Sequence, residues 1–167
     1  GRLDHVARVR VDLYGSLGST GRGHHSDRAV LLGLCGHAPD TVDVALIDPL
    51  IARIRGQHRL PLEGGPEIAF DWNADLPLIA DESLPLHANG MRFEAFDAAG
   101  NLLDAQVYYS VGGGFIVSEE AAQDAQRRAR LQHARPRRIA AVRRVHAVAF
   151  THPGGQRHRR ERPGGLA

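Results

Sequence analysis

A chain of 167 residues with 43% hydrophobic and 24% charged residues suffices for one globular domain, and it excludes a wholly disordered polymer. No apolar run approaches the ~20 residues needed to cross a bilayer, and the single cysteine, Cys35, excludes an internal disulfide and an all-cysteine metal site built by this chain alone. The net charge of +2 hides a split: residues 1–120 carry nine arginines against 17 acids, net −8, and residues 121–167 carry 12 arginines against two acids, net +10, so the body is not a uniformly basic nucleic-acid binder.

Residues 5–13 alternate, with Ala7, Val9, Val11 and Leu13 forming an apolar set opposite Val6, Arg8, Arg10 and Asp12. Period two predicts a half-buried strand. Tyr14 to Asp27 is then read as a glycine-rich loop, with Gly15, Gly18, Gly21 and Gly23 followed by His24, His25, Ser26 and Asp27. Ser26 or Asp27 is placed to cap a helix over Asp27 to Cys35, apolar nearly all round. Thr41 to Gln57 predicts a second helix, with Val44, Ile47, Leu50, Ile51 and Ile54 three or four apart and Pro49 as a kink or a new start.

Gly64-Gly-Pro66 breaks the chain, Glu67 to Asp71 reads as a short strand, and Asn73 to Ser83 as loop. Gly90 to Asp97 and Leu102 to Val111 read as two strands of a hairpin, leading into Gly112-Gly-Gly114 and Phe115-Ile-Val117. The expected fold class is α+β, a mainly antiparallel sheet with two helices. Residues 1–120 form the domain, and residues 121–167 an irregular, Arg-rich basic tail. The abrupt loss of periodicity after Glu120 fits a solvated basic tail or a coding end read out of frame. A nucleic-acid arm ranks last, because Phe150 is the lone aromatic that would interleave with the arginines.

The side chains able to carry chemistry fall in two places. His24, His25 and Asp27 lie within one turn of each other, suited to moving a proton near neutral pH with a carboxylate to orient the imidazole. Against this, Asp27 serves equally as a helix cap and the histidines as partners of loop carbonyls. His87 with Asn89 is the second pair, in a segment that is also a turn signal before a strand. Gly112-Gly-Gly114 lacks the P-loop lysine and reads first as a strand bend. Cys35 on an apolar helix reads as an inert buried thiol, and no metal ligand set is assigned.

Several long motifs nevertheless stand in a recognisable order. Val11-Asp-Leu-Tyr-Gly-Ser-Leu17, Thr20-Gly-Arg-Gly-His24 with Ser26-Asp27, Pro39-Asp-Thr-Val42, Leu84-Pro-Leu-His-Ala-Asn-Gly-Met91 and Tyr108-Tyr-Ser-Val-Gly-Gly-Gly-Phe-Ile-Val117 resemble the bacterial iron–sulfur L-serine dehydratases (L-serine ammonia-lyases) over residues 3–120. The resemblance implies a beta domain similar in fold to the allosteric substrate-binding domain of some phosphoglycerate dehydrogenases. It implies a partner catalytic (alpha) domain whose cysteines hold a [4Fe–4S] cluster acting as a Lewis acid on L-serine. It further implies release of pyruvate and ammonia, a homo-oligomer and a cytoplasmic location. His24 matches the family's loop histidine and Asp27 the acid beside it; both are expected to be catalytic. His25, Ser26, His87 and Asn89 are expected to bind substrate or support the site. The family's Gly-Pro-Ser-Ser-Ser-His-Thr segment is absent before the first strand, and Cys35 matches none of the cluster cysteines, so this chain alone is expected to be inactive. The alternative is a regulatory module that binds a serine-like small molecule without catalysis.

Overall fold

The computed structural model describes residues 2–131. A 3-10 turn at Arg2–His5 precedes β1 (Arg8–Tyr14). Then come α1 (Gly15–Thr20), α2 (Ser26–Leu34), α3 (Val44–Gln57), β2 (Arg59–Pro61), β3 (Glu67–Ala69) and α4 (Trp72–Asp75). β4 (Leu78–Ile79), β5 (Gly90–Phe96), β6 (Leu102–Ser110), β7 (Ile116–Ser118) and α5 (Glu119–Leu131) complete the described chain.

The main sheet has the order β4-β1-β5-β6-β7, and β2 and β3 form a separate ribbon. β1–β5, β5–β6 and β6–β7 are antiparallel, and β1–β4 is parallel through Leu13↔Leu78 and Tyr14↔Ile79. The α+β expectation holds, and the sheet is mixed: three of its four pairings are antiparallel and one is parallel. The two-helix expectation does not: five α-helices occur among the described residues.

β1 is an interior strand, and its predicted apolar face is the floor of the core. Val11 and Leu13 are fully buried, and Val9 and Met91 nearly so. Val30 and Leu31 of α2, Ile51 and Ile54 of α3, Leu60 and Ile68 of the ribbon, and Phe70 and Leu76 close over them. Burying each such aliphatic side chain contributes about 1.5–3 kcal/mol. α2 is less deeply packed than its composition predicts, since Leu32 and Leu34 are half-buried. α3 starts at Val44, not Thr41, because the Asp43 carboxylate accepts from Ala45 N at 2.9 Å and caps it. Val44 then lies at the first turn, 76% exposed and outside the core it was assigned to. Pro49 is inside this single helix.

The stretch expected as loop over residues 73–83 contains α4 and β4. The Asp71 carboxylate accepts from Asn73 N and Ala74 N at 2.9 and 2.8 Å and starts α4. Asp75, buried at its end, accepts from Asp71 N at 2.8 Å and from Arg8 Nε at 2.7 Å, fastening α4 to β1. The tail expected to be irregular from residue 121 is helical through Leu131, because α5 runs on across Glu120. The apolar patch from Val142 to Phe150 and the rest of the tail lie outside the described residues.

Candidate functional site around the glycine-rich turn and the His87 loop

The expected glycine-rich loop begins as a helix. Gly15 has φ +56, and a Cβ there would stand 2.1 Å from Ala88 O; a Cβ on Gly18 would stand 2.7 Å from the Ile79 and Leu13 carbonyl oxygens. The glycines therefore seat α1 directly on β1, β4 and the His87 loop, which is close packing and not a ligand cradle. Only Gly21 to His25 remains as a turn, closed by His24 N to Thr20 O and Ser26 N to Gly21 O, both 2.9 Å.

His25 occupies the N-cap of α2 with left-handed backbone (φ 60) and makes no side-chain cap bond. The expected capping by Ser26 or Asp27 is thus corrected: both are the first helical residues, and both are buried, Asp27 at 3% exposure. Asp27 Oδ1 accepts from Arg28 N at 2.8 Å, so its charge still meets a free N–H at the positive end of α2. His24 and His25 are exposed, whereas Asp27 is held inside. Arg28 reaches from α2 to pair with Asp48 on α3.

The second motif lies against the other end of α1. Gly15 N donates to Glu82 O at 2.8 Å, and Gly15 rests on Ala88, which is where the two motifs touch. His87 is exposed, and its Nδ1 accepts from Asn89 N at 3.1 Å. An accepting Nδ1 carries no proton, so the neutral ring holds its proton on Nε2. Asn89 O accepts from Ser110 N at 2.9 Å, tying the loop to β6. Two polar atoms here are buried without a partner, Asn89 Oδ1 and Tyr109 Oη. The Tyr109 hydroxyl faces the Leu86 backbone without reaching hydrogen-bond geometry. Burial, and secondarily Glu119, pushes the Tyr109 hydroxyl above its usual range. The pairing of Tyr109 with Gly90, across a position with no side chain, lets the ring sink to 1% exposure.

A polar cluster on the second face of β1 was also missed. Asp12 is 5% exposed, accepting from Arg10 Nε at 2.7 Å and from Tyr14 Oη at 3.2 Å, with Arg92 over the Tyr14 ring at 5.8 Å. The Asp12 hydrogen bond raises the Arg10 pKa, and burial, with Asp12 next, raises that of Tyr14. Alternation alone assigned Asp12 to solvent; the register Asp12↔Arg92 shows why a charge is tolerated there. Gly112, Gly113 and Gly114 all have positive φ and turn β6 into β7, as the strand-bend reading expects.

The serine dehydratase beta chain family matches residues 1–121. The chain belongs to this family. Its relatives include an L-serine dehydratase of Streptomyces coelicolor, 52% identical over 119 residues, covering 71% of this chain and 26% of that protein. L-serine dehydratase 2 of Escherichia coli is 47% identical over 119 residues, again 71% of this chain and 26% of that protein. L-serine dehydratase 1 of the same species is 44% identical over 121 residues, 72% of this chain and 26% of that protein. The chain thus spans about a quarter of the length of these relatives. His24, Asp27, His87 and Asn89 all lie within the matched residues, with an exposed histidine beyond each end of α1. No helix among the described residues is long and apolar enough to cross a membrane.

An iron–sulfur cluster does not fit the described residues. Among them no group of three or more His, Cys, Asp or Glu could hold a metal ion. Cys35, the C-cap of α2, has its thiol pushed up to about 11 by burial, the opposite of the thiolate a cluster needs.

Proposed function

We propose that this chain forms the beta-domain part of an L-serine ammonia-lyase that converts L-serine to pyruvate and ammonia. The family match over residues 1–121 carries the reading. The beta domain works with a catalytic (alpha) domain. The [4Fe–4S] cluster expected for the family belongs to that domain and supplies Lewis-acid chemistry there. The intact enzyme is a cytoplasmic homo-oligomer, and the beta domain shares the architecture of the allosteric substrate-binding domain of phosphoglycerate dehydrogenases.

This chain's own residues have narrower tasks. His24, exposed on a turn fixed by two backbone bonds, moves a proton or orients substrate at the domain boundary. Asp27 stiffens that turn from inside α2 and supplies negative charge behind the imidazole. His87 offers Nε2–H as a donor, in a tautomer fixed by Asn89 N. Asn89 holds the loop on β6, and His25 and Ser26 set the start of α2.

The test adds this chain to the separately purified catalytic domain of the S. coelicolor relative, with iron content and lactate-dehydrogenase-coupled pyruvate as readouts. Pyruvate is expected only from the mixture. His24→Gln is expected to lower kcat by about a hundredfold or more with KM little changed, the range of a lost proton-transfer group. Turnover by this chain alone, or a mixture in which His24→Gln is as active as the parent, sinks the reading.

A further inference from the structure

A cavity of about 470 Å³ opens beside the glycine-rich turn, apart from the His87 loop. Its floor is Ile54, Phe70 and Trp72, and its polar lining is Arg22, Arg55, His58 and Asn73. The volume lies within the range that holds small ligands. No carboxylate lines it, although residues 1–120 carry a net charge of −8. Among the described residues the ion pairs use Arg8, Arg10, Arg28 and Arg53, and none reaches Arg22 or Arg55.

The cationic groups come from separate parts of the chain. Arg55 and His58 are at the C-terminal end of α3, where positive charge also complements the helix dipole. That explanation does not extend to Arg22, which the turn after α1 brings to the same opening. Arg55 is held in place, its guanidinium carbon 4.0 Å from the Trp72 ring centroid. His58 is fixed in left-handed backbone (φ 53) while its carbonyl accepts from Phe70 N at 2.9 Å. Asp71, whose carboxylate acts electrostatically on His58 without lining the cavity, has its Oδ1 committed to Asn73 N and Ala74 N. Two guanidiniums and an imidazole over an aromatic floor form a receptor for a planar or tetrahedral oxyanion attached to an apolar body.

We propose that this cavity binds a small organic oxyanion, a carboxylate or phosphate on an apolar body, with Arg22 and Arg55 as its charged contacts. Because Arg22 is two residues from His24, the ligand also grips the turn that carries that histidine.

Trp72 is the sole tryptophan of the chain and forms part of the wall, so its fluorescence reports occupancy directly. The full chain is titrated with benzoate, phenyl phosphate and the neutral benzamide. Benzoate or phenyl phosphate is expected to give a saturable change, and whichever binds tighter identifies the headgroup. Benzamide is expected to bind about tenfold more weakly or not at all, and Arg22→Gln to weaken the tighter anion about tenfold, with Arg22→Lys recovering part of the loss. A thermal melt matching the parent's keeps the variants comparable. No saturable signal with either anion, benzamide binding as tightly as the anions, or Arg22→Gln binding as tightly as the parent overturns the proposal. None of these readouts involves turnover, so their failure is separate from any failure of the serine ammonia-lyase reading.

Discussion

Tyr109 is 1% exposed and its hydroxyl has no partner, an arrangement that costs about 1–3 kcal/mol unless something else repays it. Tyr109→Phe is therefore expected to stabilise the chain by about 1 kcal/mol, or roughly 4 °C in Tm. A melt that falls would show that the hydroxyl is satisfied after all. Cys35 makes a second expectation. Its thiol is shifted from 9.0 to about 11, so near pH 8 its alkylation by iodoacetamide should run roughly a hundredfold slower in the folded chain than in the unfolded one. The same shift fixes a sign for stability. Below about 9 both states hold the proton and the contribution is complete. From about 9 to about 11 only the folded state keeps it, so stability falls as pH rises through that window. Denaturant melts of Cys35→Ser, which removes the titration, should lose that part of the pH slope.

At the scale of elements, α1 shows how a glycine series misleads. Read from sequence, four glycines beside titratable side chains point to a glycine-rich loop that carries a site. In the structure Gly15 and Gly18 are the contact surface of a short helix, because only a residue without Cβ at Gly18 lets α1 approach the Ile79 and Leu13 carbonyls. Gly18→Ala is expected to cost about 1–3 kcal/mol by overpacking. Gly23→Ala, whose Cβ would meet nothing nearer than Thr20 O at 3.7 Å, is expected to change stability by less than about 0.5 kcal/mol. Equal losses in a chemical-denaturation comparison would reject this account of α1. β1, α3, β5 and β6 were legible because each carries a long apolar periodicity. α4 and β4 were not, since an aspartate cap and a two-residue parallel pairing leave no periodic trace.

For the whole molecule, the sheet order puts β1, β5 and β6 inside and leaves β4 and β7 at the edges. Amides at the Leu13 end of β1, where it pairs with both β4 and β5 and Val11 and Leu13 are fully buried, are expected to exchange hydrogen only through global opening. The three-residue β2–β3 ribbon should exchange earlier, through local opening. Mass-spectrometric hydrogen exchange that finds the ribbon as protected as β1 would contradict this hierarchy.

The sequence by itself determined the α+β class, the hairpin, the core face of β1 and, through long motifs, the family. These rest on local periodicity and ordered residue strings, which need no knowledge of distant neighbours. Only the tertiary structure decided that β4 joins β1 in parallel, that Gly15 and Gly18 are packing surfaces and that Asp12, Asp27 and Tyr109 are buried. It alone gathered Arg22, Arg55 and His58 around one cavity. Burial and charge convergence depend on which segments meet across long separations, and no periodicity along the chain encodes that meeting.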